Sequence, residues 1–234
     1  GFPGPGDADW AAAARATASH NTLCLAETSS SWLVRHARLA DLVGGLPIRG
    51  PEKVSAAVQD DAGAVELQAS HDGYVERYGL VHRRALTLAP DGARVSGIDR
   101  LQPPQGLLRL KHDLPFAIHF HLHPDCRLER SAGRDGIGIR LPDGCVWQFT
   151  AEGAELSIED GLYFVDSAGP RAALQIVLRG ATYGETEVRW RLQCLALAGV
   201  ADQESELAPD RAPAAPDAAP EMVPASAPDE RGVR

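Results

Sequence analysis

Two kinds of side chain alternate between Phe116 and His123, and this alternation constrains the fold more than any other stretch of the chain. The two sets are the apolar Phe116, Ile118, Phe120 and Leu122 and the histidines His119, His121 and His123. Because successive side chains of a β-strand point to opposite faces, we predict a strand with an apolar face toward a sheet interior. Its histidine face borders solvent, a cleft or a metal site. Pro124 has no amide hydrogen to give to a sheet, so we expect the strand to end there or to run along an edge.

Short segments of the same kind recur along most of the chain. Besides 116–123, we predict strands at 21–25, 32–39, 53–60, 64–70, 80–88, 93–101, 137–141, 145–150, 155–158, 162–166, 172–179 and 186–195. Turn signals such as Asp72-Gly73 and Pro90-Asp91-Gly92 separate them, and Pro142-Asp143-Gly144 marks the clearest hairpin. A single helical turn is predicted within 10–18. Roughly a dozen short strands with turns between them predict an all-β fold, an antiparallel multi-stranded β-sandwich over residues 1–199.

The composition changes at the C-terminal end, over residues 200–234. Six prolines there, at positions 209, 213, 216, 220, 224 and 228, alternate with Ala, Asp and Glu. Eight acidic residues stand against three arginines after Val200. Such a segment has too little apolar surface to offset its ordering entropy. We therefore predict a disordered, acidic Pro/Ala-rich tail.

Charge and hydropathy exclude two classes of partner. The formal net charge is −9 and no Lys/Arg-rich face is evident in the sequence, so we expect no nucleic-acid partner. No run approaches the roughly 18 apolar residues of a membrane span.

The four cysteines form no C-x-x-C pair, which favours buried free thiols over a zinc knuckle. The chain begins at Gly1 rather than Met, which leads us to expect a fragment or a processed product.

The histidine row is the first of three candidate sites. Alternate residues on a strand project side by side, so two imidazoles could bind one zinc, iron or copper ion. Glu129 could supply a third ligand, as in a cupin-type metalloenzyme. The alternative is a surface or cleft row that makes ordinary hydrogen bonds, because the spacing fixes no acidic partner.

The second candidate is the segment Ser70-His71-Asp72-Gly73-Tyr74, which Tyr78, His82 and Arg83 follow. A turn of this composition can present a general base, an orienting carboxylate and a phenol together. Alternatively, Asp72-Gly73 makes a turn around which His71 and Tyr74 pack. The third candidate is His20, although a lone histidine before a strand favours a structural role.

The segment Arg15-x-Thr17-x-x-His20-Asn21-Thr22-Leu23 resembles the one that opens the β-rich C-terminal region of heparinase II/III-like proteins. Four later blocks are similar to the bacterial branch of that family: Ser70-His71-Asp72-Gly73-Tyr74, Gly79-Leu80-x-His82-x-Arg84, Gly97-x-Asp99 and Phe120-His121-Leu122-His123-Pro124. Trp147 and the strand Gln175-Ile176-Val177-Leu178 also fit. The resemblance runs from about residue 1 to 195.

The resemblance implies the C-terminal β-sandwich part of a polysaccharide lyase, which cleaves uronic-acid-containing glycans, glycosaminoglycans among them, by β-elimination. Family members carry an N-terminal α/α toroid that supplies most catalytic groups. We therefore expect this chain to be inactive without the toroid. Its implied partners are that toroid and an acidic polysaccharide or oligosaccharide, and its implied location is the bacterial periplasm or cell envelope.

Site residues follow from the same resemblance. His71 and Tyr74 are the catalytic candidates, as general acid or base. His121, His123 and Arg83 are the substrate-binding candidates. His20 matches a position that binds a structural zinc ion in some family lyases, so zinc is the implied cofactor.

Two alternatives belong to other classes of protein. The same fold could serve as a non-catalytic carbohydrate-binding or scaffold sandwich, for which exposed Trp10 or Trp32 would supply the aromatic contact. A cupin-like metalloenzyme centred on the histidine row is the other alternative.

Overall fold

The computed structural model describes residues 13–33, 47–61, 63–104, 113–131, 136–166 and 169–196. Its strands are β1 (Leu23–Leu25), β2 (Trp32–Leu33), β3 (Pro47–Arg49), β4 (Val54–Asp61), β5 (Ala64–Tyr74), β6 (Leu80–Leu88), β7 (Arg94–Gln102), β8 (Leu114–His121), β9 (Arg127–Arg130), β10 (Gly136–Arg140), β11 (Val146–Glu152), β12 (Glu155–Asp166), β13 (Gly169–Thr182) and β14 (Thr186–Ala196). A 3₁₀ turn covers Thr17–Ser19, and one turn of helix, α1, covers Val75–Tyr78.

The strands form two large antiparallel sheets. The larger has eight strands in the order β4-β5-β6-β7-β14-β11-β10-β9, and the smaller has four in the order β1-β8-β13-β12. β2 and β3 form a separate two-stranded ribbon. The predicted all-β sandwich is confirmed. No described helix is long and apolar enough to cross a membrane.

One buried apolar cluster joins the two sheets. The four-stranded sheet contributes Leu23, Leu25, Phe116, Ile118, Ile176 and Leu178. The eight-stranded sheet contributes Tyr74, Leu80, Leu101, Leu128, Ile137, Ile139, Phe149, Val188 and Trp190. Burying each large apolar side chain stabilises the fold by about 1.5–3 kcal/mol, so this interface is what holds the sandwich together.

The prediction of a turn at Asp72-Gly73 is wrong. β5 continues through Tyr74, with an irregular register between His71 and Tyr74. The Asp72 carboxylate accepts hydrogen bonds at 2.9 and 3.0 Å from the two main-chain nitrogens that precede β4, which fixes the entry to that strand. The chain reverses instead at α1 and Gly79, whose φ of 67° is a conformation that glycine adopts without steric cost.

Other boundaries differ in informative ways. The segments predicted as two strands at 155–158 and 162–166 form one long strand, β12, because the intervening residues also pair with β13. β8 ends at His121, which leaves His123 outside the strand. β3 and β9 were not predicted. Most of the strand predicted at 32–39 and the predicted tail at 200–234 lie outside the described residues.

Candidate functional site

A directed chain of hydrogen bonds crosses β5, β6 and β7 on the inner face of the larger sheet. The main-chain nitrogen of Gly73 donates to Nδ1 of His71 at 3.2 Å. Nε2 of His71 must then carry the proton, and it donates to Nδ1 of His82 at 3.2 Å. Nε2 of His82 in turn donates to Oδ1 of Asp99 at 2.7 Å. The three side chains are therefore fixed in one tautomeric arrangement.

Asp99 is the last acceptor in this series of hydrogen bonds. Its carboxylate is 1% exposed and accepts hydrogen bonds from Arg84 Nε at 2.8 Å, Arg84 Nη2 at 3.0 Å and Trp190 Nε1 at 2.9 Å. Burial raises the pKa of Asp99, but the hydrogen bond from His82 and the charge and hydrogen bonds of Arg84 outweigh it and hold the pKa at about 2. Asp99 is thus a buried, fully partnered carboxylate.

Gly97 explains how Trp190 reaches Asp99. A Cβ at Gly97 would lie 2.1 Å from the Cε2 and Cζ2 atoms of Trp190, because the indole lies flat against this part of β7. Trp190 also packs edge-on against Phe120, with ring centroids 4.9 Å apart. The absence of a side chain at Gly97 therefore permits both the hydrogen bond to Asp99 and the contact with the smaller sheet.

Arg84 links this network to the edge of the four-stranded sheet. Its Nη1 donates to the main-chain oxygen of Asn21. The side-chain oxygen of Asn21 accepts from the main-chain nitrogen of His121 at 2.7 Å, and Nε2 of His121 donates to the main-chain oxygen of Ala18 at 2.9 Å. These bonds fix the orientation of the Asn21 amide and the His121 ring.

The histidine row has two members in ring contact. His119 and His121 stack with ring centroids 5.9 Å apart and an interplanar angle of 10°. His119 is buried, and its Nδ1 donates to Oε1 of Gln175 at 3.1 Å. Burial lowers the pKa of His121, and the nearby His119 and His20 lower it further against the hydrogen bond to Ala18. His121 is therefore a neutral, half-buried group.

An apolar cavity of about 320 Å³ opens beside this edge, between the two sheets. Its lining combines residues of both sheets: Asn21, Arg84, Leu86, Val95, Phe120, His121, Leu122, Ile139, Phe149, Ile176, Trp190 and Leu192. Asn21, Arg84 and His121 are its polar members. We call Asn21 and His121, together with this opening, the polar edge.

The two catalytic candidates lie near one another but are engaged in the fold. His71 and Tyr74 have ring centroids 5.5 Å apart. Burial, with a smaller contribution from His82, lowers the pKa of His71 to about 4, and both of its ring nitrogens are hydrogen-bonded. Tyr74 is fully buried, its hydroxyl donates to the main-chain oxygen of Leu23 at 2.9 Å, and burial raises its pKa. Both side chains are thus held in place by hydrogen bonds within the described chain.

The remaining predicted residues lie apart from one another. Arg83 points away from the sandwich interior, because its neighbours His82 and Arg84 occupy the inward positions of β6. His123 is exposed, 3.4 Å from a carboxylate oxygen of Asp125, and contacts the ring of Tyr163. Of the proposed substrate-binding residues, His121 alone borders the cavity.

Among the described residues, no group of three or more His, Cys, Asp or Glu could hold a metal ion. Glu129 lies on β9 of the larger sheet, whereas His119 and His121 lie on β8 of the smaller one. His20 is exposed and belongs to no such group. The described residues therefore do not form a zinc site on their own, and zinc at His20 stays a prediction.

One of the two tryptophans considered for a sugar contact has an arginine over its ring. Trp32 is 51% exposed, and the guanidinium of Arg77 lies 4.0 Å from its ring centroid. Trp190 is in the core. Trp10 lies outside the described residues.

Sequence reasoning did not select Asn21, Arg84, Asp99 or Trp190 as site residues. The signal for Arg84 was present, since Leu80, His82, Arg84 and Leu86 occupy alternate positions of one predicted strand. That period puts Arg84 on the same face as the apolar residues and Arg83 on the opposite one. The contact between Asp99 and Trp190 joins residues far apart in sequence, which local periodicity does not reveal.

Similarity to known proteins agrees with this architecture. The chain is 35% identical over 161 residues to "FtsZ-localized protein C" of Caulobacter vibrioides, a match that covers 65% of this chain and 27% of that protein. Its fold is similar to that of the heparan sulfate lyase HepC from Pedobacter heparinus, with a TM-score of 0.57 and 13% identity over 77% of this chain and 24% of the enzyme. A heparinase III gene product gives a TM-score of 0.54 at the same identity and the same shares.

The chain thus spans about a quarter of the length of these relatives. A family model described as heparinase II/III-like, C-terminal, matches residues 1–191. The chain belongs to the heparinase II/III-like C-terminal family.

Proposed function

We propose that this chain is the β-sandwich part of a polysaccharide lyase that cleaves uronic-acid-containing glycans by β-elimination once it is joined to an α/α toroid. In this proposal the sandwich forms one wall of the glycan cleft and is inactive alone. The protein acts in the periplasm or cell envelope, and any structural zinc at His20 takes its other ligands from the preceding part of the protein.

The polar edge is the observation that carries this proposal. Asn21 and His121 are held in fixed orientations, yet neither the Asn21 amide nitrogen nor Nδ1 of His121 has a hydrogen-bond partner among the described residues. The amide can donate to a uronate carboxylate, and the neutral imidazole can accept from a sugar hydroxyl. Fixed, unpartnered polar groups beside an opening are what recognition of a glycan requires.

The hydrogen bonds that already occupy His71 and Tyr74 support the proposal that the toroid, and not the sandwich, supplies the catalytic groups. A general base needs a free lone pair within reach of the proton that it removes. Both ring nitrogens of His71 and the hydroxyl of Tyr74 already have partners. We therefore propose that the base and acid of the elimination come from the toroid, and that His71 and Tyr74 position the edge.

The test is β-elimination by the full-length protein on alginate, heparan sulfate, hyaluronan and pectate, followed by the ultraviolet absorbance of the unsaturated uronate product. Product from at least one glycan is expected, and none from the isolated sandwich. A flat trace on all four glycans with a folded full-length protein would refute the lyase proposal.

A second candidate function is favoured by the 35% identity to a protein named as localised with FtsZ, against 13% to the lyase. In this candidate the sandwich is a non-catalytic scaffold or glycan-binding module that localises with FtsZ. A fluorescent fusion of the full-length protein that colocalises with FtsZ, combined with a flat lyase trace, would favour it. A diffuse fusion would exclude it.

A further inference from the structure

The outer face of the larger sheet carries a cluster of arginines on its three central strands. The positions that point away from the sandwich interior on β6, β7 and β14 include Arg83, Arg94, Arg100, Arg189 and Arg191, which we call the arginine face. Arg100 is half-buried, and the other four arginines are exposed. A positive face of this kind stands out in a chain whose formal net charge is −9.

The charges of the arginine face are only partly neutralised. Glu187 forms ion pairs with Arg100 and Arg189. Arg83 lies directly opposite Arg100 in the register of β6 and β7, and like charges in that position destabilise a sheet. In the part of the chain that the structure describes, no ion pair involves Arg83 or the other two, Arg94 and Arg191. The face therefore favours an anionic partner.

The sequence carries an anionic segment that begins six residues after the end of β14. β14 carries Arg191 and ends at Ala196, and Arg94 pairs with Gln193 of the same strand. Arg94 and Arg191 thus lie within about 17 Å of the end of β14, at about 3.3 Å for each strand residue. Asp202 follows Ala196 by six residues, which span up to about 20 Å when extended. The first tail carboxylates can reach both arginines.

The proximal half of the tail has the composition that this face requires. Within 202–210 it carries four carboxylates and no basic residue: Asp202, Glu204, Glu206 and Asp210. Leu207 lies among them, and Leu195 is 53% exposed on the same outward side of β14 as Arg191. Residues 202–210 therefore match the arginine face in charge, and Leu207 can add an apolar contact with Leu195.

We propose that the proximal acidic tail, residues 202–210, binds the arginine face of its own sandwich and shields it from external polyanions. Each exposed ion pair is weak on its own, but tethering gives the tail an effective concentration in the millimolar range. The contact is consequently governed by salt, because the Debye length falls from about 30 Å at 0.01 M to about 3 Å at 1 M ionic strength.

Nuclear magnetic resonance of the uniformly ¹⁵N-labelled full chain tests this contact. At about 0.01 M salt, the amides of 202–207 are expected to show larger heteronuclear NOE values than those of 217–230. Raising the salt to about 1 M should abolish the difference, and so should the double variant Arg94→Ser/Arg191→Ser. The matched control Arg49→Ser/Arg171→Ser removes the same charge away from this face and should keep it. Equal NOE values along the tail at low salt would overturn the proposal.

A second measurement uses variants that leave the folded sandwich untouched. Heparin is used as the polyanion probe. Its binding should tighten at least about twofold, the effect of one exposed charge pair, when the four proximal carboxylates are replaced by their amides: Asp202, Glu204, Glu206 and Asp210. Neutralising the distal carboxylates instead, at positions 217, 221, 229 and 230, removes the same charge and should tighten it less. Equal tightening by the two variants would mean a nonspecific charge effect and would overturn the proposal.

Discussion

The replacement of Gly97 by alanine is expected to displace Trp190, which lies against Gly97 within the larger sheet and packs against Phe120 of the smaller one. The new Cβ would lie 2.1 Å from two atoms of the Trp190 indole, so the ring must move. Its Nε1 then loses the 2.9 Å hydrogen bond to Asp99, and its contact with Phe120 changes. A single methyl group thus disturbs both a buried polar network and the apolar interface.

The expected loss can be worked from these two effects. Overpacking of a well-packed core costs about 1–3 kcal/mol. A hydrogen bond to a charged group contributes about 1.5–3 kcal/mol, and Asp99 keeps its other donors. We therefore expect Gly97→Ala to lower the free energy of unfolding by about 3–5 kcal/mol, a large share of the about 5–15 kcal/mol of a typical domain.

Urea denaturation followed by far-ultraviolet circular dichroism at neutral pH measures this loss. Gly161→Ala is the matched control, because the atoms nearest to a Cβ at that strand glycine belong to the Gln175 side chain, the closest at an ordinary 3.4 Å. It should change stability by less than about 0.5 kcal/mol. In a Trp190→Phe background the cost of Gly97→Ala should shrink by at least about 1 kcal/mol. Equal effects of Gly97→Ala and Gly161→Ala would refute this reasoning.

Three further predictions concern the same network. Burial holds the folded-state pKa of His71 at about 4, below the 6.5 of the free side chain. The stability that neutral His71 contributes is therefore fully present above pH 6.5 and is lost as pH falls through 4. The free energy of unfolding from urea denaturation should drop on acidification by about 2 kcal/mol after allowance for solvent screening, and by less in His71→Gln. Tyr74→Phe leaves a buried carbonyl of β1 without its donor and should cost about 1–3 kcal/mol in urea denaturation, against a smaller cost for Tyr78→Phe, whose hydroxyl is only half-buried. Arg84→Lys removes the two-point contact with Asp99 and should cost about 2–4 kcal/mol, measured in the same way; an unchanged midpoint would show that the contact is dispensable.

The strands were predictable because their signal is local. Alternation of apolar and polar residues identified β6, β7, β13 and β14 to within a few residues, since one side of each strand is buried. The Asp72-Gly73 turn failed for the opposite reason. That dipeptide favours a turn in isolation. Here the flanking His71 and Tyr74 both pair with β6, and Asp72 is hydrogen-bonded to the residues that precede β4, so β5 continues through it.

The site was less predictable because it depends on register between distant strands. Asp99 meets Trp190 across β7 and β14, and Asn21, which precedes β1, meets His121 of β8. The sequence does not encode either contact locally. The histidine row illustrates the same limit. Period two correctly separates the histidines from the apolar face, but it does not show that Gln175 of β13 takes up His119 while His121 reaches the edge.

The most direct test of the account is the effect of the polar edge on glycan cleavage by the full-length protein. Asn21→Ala and His121→Ala should each lower kcat/KM on the cleaved glycan at least about tenfold, the consequence of losing about 1.4 kcal/mol of substrate contact. Arg49→Ser, an exposed arginine away from the edge, should leave it unchanged. If both edge variants cleave as well as the wild type, the sandwich does not line the glycan cleft and the proposed function is wrong.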